Sequence, residues 1–261
     1  MNRPSTVMGD AMPTPDRPEG ERIAKLLARA GIASRREVER MIADGRVALD
    51  GVKLTTPATI LPHLRGVTVD GNPVASAEPT RLYRFHKPSG LITAERDPAG
   101  RPTIYDALRN ALPPGSPRLM PIGRLDFTTE GLLLMTNDGE LKRQLELPST
   151  GVVRTYRARA FGEISQEQLE SLSEGITIEG MRYGSIDANL ERRTGRNCWI
   201  EMSLTEGKNR EVRNVLAFLG LQVSRLIRVS YGPFTVEGME TGDLGEVTPH
   251  IISHFRKTLK P

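Results

Sequence analysis

Two short segments near the beginning of the chain repeat apolar residues at helical spacing. In the first, ERIAKLLARAG, the apolar stripe consists of Ile23, Leu26, Leu27 and Ala30, and Gly31 follows as a C-terminal cap. This spacing predicts a short amphipathic helix with one apolar face and one charged face.

A second helix is predicted directly after the first. Ser34 precedes Glu37 by three residues, which is the spacing of a capping box that satisfies backbone N–H groups at a helix start. Val38, Met41 and Ile42 then form the stripe that is expected to be buried, and a glycine follows. The pattern therefore predicts a helix that ends at this glycine.

The chain then changes from helical spacing to alternation. RVALDGVKL and GVTVDGNPV each alternate around an Asp-Gly pair, which favours a two-residue hairpin turn. Two helices followed by a small sheet predict a compact domain over residues 21–75. Residues 1–20 are rich in proline, glycine and small polar types, and a flexible tail is expected because they offer little apolar surface to bury.

A short linker is predicted after this domain, because residues 76–80 are mostly small and include a proline. From residue 81 to residue 261, short strands are mixed with a few helices, without the regular alternation of parallel βαβ units. We therefore expect an α+β fold in which the larger domain has a mixed, mainly antiparallel sheet.

Length, charge and cysteine content narrow the classes of protein. The 261 residues suggest two domains, and 36 Lys and Arg against 32 Asp and Glu give a net charge of +4. This excess is mild, so the placement of basic patches matters more than their total. The single cysteine, Cys198, excludes an internal disulfide and fits a reducing cytoplasm. No apolar run approaches the roughly 18 residues of a membrane span, so a soluble protein without a membrane partner is expected.

Basic residues gather along the two predicted helices and near the first hairpin. A phosphate-binding surface and an ordinary solvated helix face are both compatible with this pattern. The residues are Arg22, Lys25, Arg29, Arg35, Arg36, Arg40, Arg46 and Lys53. The segment ERIAKLLARAGIASRREVERMIADGRVALDGVKL resembles the alpha-L RNA-binding motif, which a small-subunit ribosomal protein shares with several RNA-modifying enzymes. The resemblance implies a structured RNA partner that is recognised through its shape and backbone.

In the larger domain, a carboxylate lies just ahead of an apolar run. PIGRLDFTTEGLLLMTNDGEL places Asp126 two residues after Arg124 and shortly before LLLM, which predicts a position at the entry to a buried strand. An aspartate in such a loop is more often a turn or cap residue than a functional one. A rigid scaffold at this point would nevertheless hold a functional carboxylate firmly.

A second segment, LTEGKNREVRNVLAFLG, places Lys208, Arg210 and Arg213 around the start of a predicted helix. Cations at this end oppose the helix dipole, and such local conflicts are common at functional sites. RNA phosphate or the carboxylate of Asp126 would compensate the charge, while an exposed charged turn is the simpler alternative.

Two smaller features belong to the same candidate site. Strand alternation in GVVRTYRARA places Arg154 and Tyr156 on one face, where the tyrosine could stack on a displaced base or serve as an ordinary sheet residue. The segment HKPSG, residues 86–90, predicts a turn that could brace the site.

Taken together, GRLDFTTEGLLLMTNDGEL and EGKNREVR closely resemble the bacterial pseudouridine synthases that modify ribosomal RNA, and HKPSG, RTY and LIRVSYGPF occur in the expected order. The resemblance implies that Asp126 is the catalytic residue and that Arg124 fills the gap left by a flipped nucleotide. It also implies that Tyr156 stacks on the uracil and that Arg213 pairs with Asp126.

The same resemblance assigns Leu204 and Leu226 to the wall of the pocket. Lys208 and Arg210, whose charges at the helix start call for an anion, are expected to bind RNA. The implied reaction breaks the bond from uracil N1 to the ribose and rejoins the base through C5, which requires no cofactor and no metal. The chain has Arg154 where the family often has lysine, and Asn214 where it often has arginine.

Three other functional classes remain open at this point. A noncatalytic ribosome-assembly factor would need the RNA-binding surface but not the catalytic set. A retaining glycosidase could pair Asp126 with Glu130, although aromatic residues make up only 5% of the chain. A metal-dependent nuclease could use His250 and His254, but no third ligand is apparent.

The target is expected from the resemblance as well. NCWIEMSLTEGKNREVRNVL is most similar to the large-subunit branch of the family, which implies a uridine in 23S ribosomal RNA, with 16S ribosomal RNA as the rival. The expected partner is ribosomal RNA or a pre-ribosomal particle, bound by a monomer in the cytoplasm.

Overall fold

The computed structural model describes residues 20–109, 111–113 and 115–259. The chain divides into two compact units, Met1–Glu78 and Pro79–Pro261. The tail expected from the sequence lies outside the described residues, apart from Gly20.

Two helices and short paired strands form the first unit. Its elements are β1 (Glu21–Arg22), α1 (Ile23–Arg29), α2 (Arg35–Ala43), β2 (Val47–Leu49), β3 (Val52–Lys53), β4 (Ile60–Leu61), β5 (Val67–Val69) and β6 (Asn72–Pro73). Strands β3, β2, β5 and β6 form an antiparallel sheet in that order, and β1 pairs with β4. Both expected hairpins are confirmed, and Asp50 and Asp70 adopt the left-handed backbone conformation at their turns.

The two helices bury the stripes that their spacing predicts. Ile23 and Leu27 of α1 are fully buried against α2 and the small sheet, whereas Leu26 is only half-buried. The Ser34 hydroxyl caps α2 by accepting a hydrogen bond from the Glu37 backbone N–H at 3.2 Å. The Glu37 carboxylate pairs with Arg40, so the reciprocal half of the expected capping box is replaced by an ion pair within the helix.

A nine-stranded sheet organises the second unit. Its elements are β7 (Leu82–Lys87), α3 (Ile104–Leu108), β8 (Met120–Ile122), β9 (Thr129–Thr136), α4 (Gly139–Glu146), β10 (Arg154–Phe161), α5 (Gln166–Glu170), β11 (Ile176–Ile178), β12 (Met181–Tyr183), β13 (Ile186–Thr194), β14 (Asn197–Leu204), α6 (Glu211–Phe218), β15 (Gln222–Tyr231), β16 (Phe234–Thr235), β17 (Leu244–Val247) and α7 (Pro249–Thr258). β11 and β12 form a separate hairpin.

The large sheet has the strand order β13, β14, β10, β15, β9, β7 and β17, with β8 beside β9 and β16 beside β15. Among the described strands, only β15 and β9 pair in parallel, and the other pairs are antiparallel. The expected α+β class with a mainly antiparallel sheet is therefore confirmed.

Helices cover the large sheet, and the apolar cores lie between these helices and the strands. α5 and α6 pack on the apolar residues of β10, β13 and β14, while α4 and α7 pack near β7 and β9. α3 and the loop before β9 contribute a third cluster with Phe85, Leu125 and Leu133. The middle strands β15 and β9 are thus fixed by packing on both sides, which makes their ends rigid supports for side chains.

Gly131 permits the close approach of β9 and β15. Its φ is +103°, and a Cβ at this position would lie 2.2 Å from the backbone oxygen of Arg228. We expect Gly131→Ala to lower the free energy of unfolding by roughly 3 kcal/mol, because steric overlap adds to the cost of a positive φ. The control is Gly220→Ala, at φ +79° with no atom within 4 Å, which should cost about 1 kcal/mol. The free energy of unfolding of both variants is measured by urea denaturation. Equal losses in Gly131→Ala and Gly220→Ala would contradict this account.

Candidate active site

A cavity of about 680 Å³ opens in the second unit, a size suited to a nucleoside rather than to a small ion. It is lined by all six residues that the sequence assigns to the catalytic set: Arg124, Asp126, Tyr156, Leu204, Arg213 and Leu226. Lys208 and Arg210 also line it. The loop before β9, the strands β10, β14 and β15, and the start of α6 therefore converge on one site.

Asp126 lies on the loop between β8 and β9, and this loop is anchored on both sides of the aspartate. Before it, the Thr93 hydroxyl donates to the backbone oxygen of Leu125 at 2.8 Å and accepts from the Leu125 N–H at 3.2 Å. After it, the Thr129 N–H donates to the Asp126 backbone oxygen at 3.0 Å. The side chain is 34% exposed, so the backbone is fixed while the carboxylate remains accessible from the cavity.

The direct partner of the Asp126 carboxylate is Arg210, whose Nη1 donates to Oδ2 at 3.2 Å. Arg210 immediately precedes α6 and has a φ of 50°, a conformation that is uncommon for residues other than glycine. Such backbone strain is typical of functional sites. The residue with this strained backbone is thus the one that contacts the Asp126 loop.

The expected direct pair between Arg213 and Asp126 is wrong in this structure. Arg213 lies in the first turn of α6, and its Nη2 donates to the hydroxyl of Thr128 at 3.2 Å instead. Burial lowers the pKa of Arg213, and Arg210 lowers it further, while the nearby Asp126 opposes both effects. Arg213 therefore contributes charge near the carboxylate without contacting it, because Arg210 makes the direct contact.

Lys87 is a site residue that sequence reasoning missed. Its side chain is fully buried at the end of β7, and its Nζ donates to the backbone oxygens of Pro88 at 3.0 Å, Asp126 at 3.2 Å and Thr129 at 2.9 Å. Burial lowers the pKa of Lys87 to about 8. The only signal in the sequence is the segment HKPSG, which was expected to brace the site as a turn rather than through a buried ammonium group.

Arg154 and Tyr156 both line the cavity, as their strand alternation predicts. The buried Arg154 guanidinium donates to the backbone oxygens of Thr205 at 2.5 Å and Leu145 at 3.1 Å, and to the hydroxyl of Tyr231 at 2.9 Å. Tyr156 is half-buried between two apolar clusters. Arg154 therefore fixes the end of β10, and Tyr156 presents part of its ring to the cavity.

Four buried side-chain atoms of the described residues have no hydrogen-bond partner, and all four belong to residues that line the cavity. They are Thr129 Oγ1, Glu211 Oε1, Arg213 Nε and Arg228 Nη2. Buried polar atoms are normally paired, because leaving one unpaired costs its full desolvation energy. Burial also raises the pKa of Glu211. The unpaired groups are therefore concentrated in residues that line the cavity.

The basic residues of the first unit are mostly exposed, but several have acidic partners. Lys25 pairs with Glu21, and Arg46 makes a two-pronged contact with Asp70 at 2.8 and 2.6 Å. Arg22, Arg35, Arg36, Arg40 and Lys53 are exposed. In the second unit, Lys208 pairs with Glu206 at the cavity. These ion pairs are at least partly exposed, so RNA phosphate can compete for the cations.

His250 and His254 lie on α7. The described part of the chain contains no group of three or more His, Cys, Asp and Glu side chains arranged to hold a metal ion. None of its helices combines the length and the apolar character that crossing a membrane requires.

Comparison with known proteins agrees with this geometry. The family model for RNA pseudouridylate synthase matches residues 81–218, and the S4 domain model matches residues 21–63. A solved structure described as a pseudouridylate synthase has a TM-score of 0.60 and 23% identity, and the match covers 91% of this chain and 99% of that chain.

Relatives in bacteria match most of the chain. An uncharacterized RNA pseudouridine synthase of Rickettsia conorii is 40% identical over 233 residues, which cover 89% of this chain and 99% of that protein. Ribosomal large subunit pseudouridine synthase B of Escherichia coli is 40% identical over 247 residues, which cover 92% of this chain and 84% of that protein. These matches confirm both resemblances inferred from the sequence. The chain belongs to the RNA pseudouridine synthase family, with an S4 domain followed by the pseudouridine synthase fold.

Proposed function

We propose that the protein converts a uridine of 23S ribosomal RNA to pseudouridine, with Asp126 as the catalytic carboxylate. The observation that supports this role most directly is the position of Asp126, on a loop anchored from both sides at a cavity of nucleoside size. The name of the Escherichia coli relative, a large-subunit enzyme, supports the choice of 23S over 16S ribosomal RNA.

The reaction exchanges one bond of the base for another. The bond between uracil N1 and ribose C1′ breaks, the base turns, and C5 bonds to C1′ with loss of the C5 proton and gain of a proton at N1. Electrons and groups balance within the nucleotide, so no cofactor is needed. Asp126 can act as the nucleophile towards the ribose or the base, or as the base that removes a ribose proton.

Two arginines near Asp126 interact with its carboxylate. Arg210 makes a charge-assisted hydrogen bond to the carboxylate, and Arg213 adds positive charge nearby. The hydrogen bond from Arg210 orients the carboxylate that serves as nucleophile or base. RNA phosphates that approach the cavity would also be attracted to Arg210 and Lys208.

The remaining residues of the set hold the extruded base. Tyr156 presents its ring for stacking, and Leu204 and Leu226 form buried apolar walls. Arg124, at the cavity rim, would occupy the space that the extruded nucleotide leaves in the RNA. One chain supplies every residue of this set, so a monomer suffices for the reaction. The S4 domain holds the structured RNA through its basic residues. The location that we propose for the protein is the cytoplasm.

The target can be identified by mapping pseudouridines in 23S and 16S ribosomal RNA from cells that lack the gene. We expect one or a few sites in 23S RNA to lose pseudouridine and to regain it when the wild-type gene is restored. Restoration with Asp126→Asn is the matched control and should leave the sites as uridine. A lost site in 16S RNA would move the assignment to the small subunit, and an unchanged map of both RNAs would refute ribosomal RNA as the substrate.

A further inference from the structure

Arg228 is a buried cation in the middle of the large sheet. Its side chain is 2% exposed, its Nε donates to the backbone oxygen of Leu132 at 2.7 Å, and its Cζ lies 5.2 Å from the centre of the Tyr231 ring. Arg228 lines the cavity, and its buried Nη2 has no hydrogen-bond partner among the described residues. The Nε contact fixes the guanidinium plane, so the unsatisfied donor has a defined direction.

The sheet register places this donor beside the proposed base-stacking residue. Arg228 of β15 lies directly opposite Tyr156 of β10, and Leu226 precedes Arg228 by two residues on the same strand. Directly opposed residues and residues two apart share one face of a sheet. A uracil stacked on Tyr156 and bounded by Leu226 would therefore present an edge to Arg228.

The floor of the cavity is positively charged without a carboxylate in contact. Arg154 and Arg228 both contact the Tyr231 ring, with their Cζ atoms 4.8 and 5.2 Å from the ring centre, and they donate hydrogen bonds to backbone oxygens and to the Tyr231 hydroxyl. Among the described residues, neither arginine has an ion-pair partner within 4.0 Å. Burying two cations in this way is costly for the free protein. It provides a preorganised environment for negative charge that appears only during a reaction.

We propose that Arg228 is a further catalytic residue, whose unpaired Nη2 donates a hydrogen bond to a carbonyl oxygen of the bound uracil and stabilises the negative charge that develops on the base. This inference rests on the proposed function. When the bond from N1 to C1′ breaks, the bonding electron pair stays with the uracil, where N1, O2 and O4 share the charge. C1′ is then satisfied by the Asp126 carboxylate or by loss of a C2′ proton. When C5 then bonds to C1′, the Asp126 carboxylate leaves C1′ or the proton returns to C2′. The C5 proton is released, and N1 gains a proton.

The test compares Arg228→Met and Arg228→Lys with the control Arg225→Met. Arg225 lies on the same strand but is exposed and pairs with Glu130 at 2.8 Å outside the proposed catalytic set. In single-turnover assays at saturating RNA, we expect Arg228→Met to lose roughly 10²- to 10³-fold in rate. Arg228→Lys keeps the charge without the planar fork and should lose about tenfold. Arg225→Met should react at nearly the wild-type rate.

A second substrate separates catalysis from mere support of Tyr156. In RNA with 5-fluorouridine at the target, the fluorine already stabilises negative charge on the base, so the loss in the rate of breaking the N1–C1′ bond in Arg228→Met should shrink to about tenfold or less. Equal losses with both substrates would overturn the proposal, as would an Arg228→Met rate equal to that of Arg225→Met. If the wild-type protein isomerises no ribosomal RNA, the proposed function itself fails. The assay of the wild-type protein alone shows this outcome, without reference to the Arg228 variants.

Discussion

Asp126→Asn is expected to lower the rate of pseudouridine formation by at least about 10⁴-fold, because the amide can neither attack as a nucleophile nor accept a proton as a base. The substitution preserves the shape of the side chain, and its amide oxygen can still accept from Arg210. The loop should keep its position, since its anchors are backbone contacts of Leu125 and Asp126. The loss should therefore fall on the chemical step. RNA affinity should stay within about threefold of the wild-type value.

The measurement is a single-turnover assay on the 23S segment found by mapping, in buffer that contains EDTA. Glu130→Gln is the matched control: Glu130 is four residues away and pairs with Arg225. It should retain nearly full activity. A Glu130→Gln protein as inactive as Asp126→Asn would favour a mechanism with two carboxylates, as in a retaining glycosidase. Loss of wild-type activity in EDTA would favour metal chemistry instead.

Much of the fold follows from local patterns, and these were predictable. The stripe of α2 and the Asp-Gly turns depend on residues within one turn of helix or one hairpin. The position of Asp126 ahead of a buried strand is also local, since an apolar run such as Leu132–Met135 indicates a strand whatever it pairs with. The parallel pairing of β9 with β15 could not be predicted from a local pattern, because the two strands are far apart in sequence.

The arginine assignments show which features of the site a sequence pattern cannot predict. Helical spacing correctly placed Arg213 in the first turn of α6, but spacing carries no information on the left-handed backbone at Arg210. Asparagine or glycine would have been the expected residue for that conformation. Arg210, the residue with this backbone conformation, makes the direct contact with Asp126, so the expected pairing with Arg213 was wrong although both residues were recognised as part of the site.

Lys87 and Arg228 were missed for a related reason. Each is a cation on a strand whose acceptors are backbone oxygens from distant segments, such as Thr129 for Lys87 and Leu132 for Arg228. Every residue has a backbone oxygen, so the sequence does not show which of these oxygens will accept a hydrogen bond from a buried cation. An isolated basic residue in a strand is normally expected at the surface. Burial of these side chains is therefore a property of the assembled sheet rather than of the local pattern.

Lys87→Met is expected to disturb the Asp126 loop and to lower the stability of the fold. Methionine fills a similar volume but cannot donate, so the backbone oxygens of Pro88, Asp126 and Thr129 lose their shared partner. We expect a loss of about 1 to 3 kcal/mol in the free energy of unfolding at pH 7. A small displacement of Asp126 should lower the single-turnover rate by roughly 10²-fold. Urea denaturation and the assay used for Asp126→Asn measure the two effects.

The pH dependence of the stability difference identifies the buried amine as its cause. The pKa of Lys87 is about 8 in the folded protein against 10.5 for an ordinary lysine. Above pH 10.5 the amine is neutral in both states, and its full contribution to stability is present. As the pH falls from 10.5 to 8, the unfolded chain binds the proton first, so wild-type stability relative to Lys87→Met should decrease by about 3 kcal/mol and then level off.

The matched control is Lys257→Met, which removes an exposed lysine from α7. Titration of groups shared by the variants cancels when each is compared with the wild type. Across pH 8 to pH 10.5, the difference for Lys87→Met should rise more than the difference for the variant of the exposed Lys257. A flat difference for Lys87→Met would mean that the ammonium group is solvated in the folded protein. The anchoring of the Asp126 loop would then have to come from the Thr93 contacts and the Thr129 N–H.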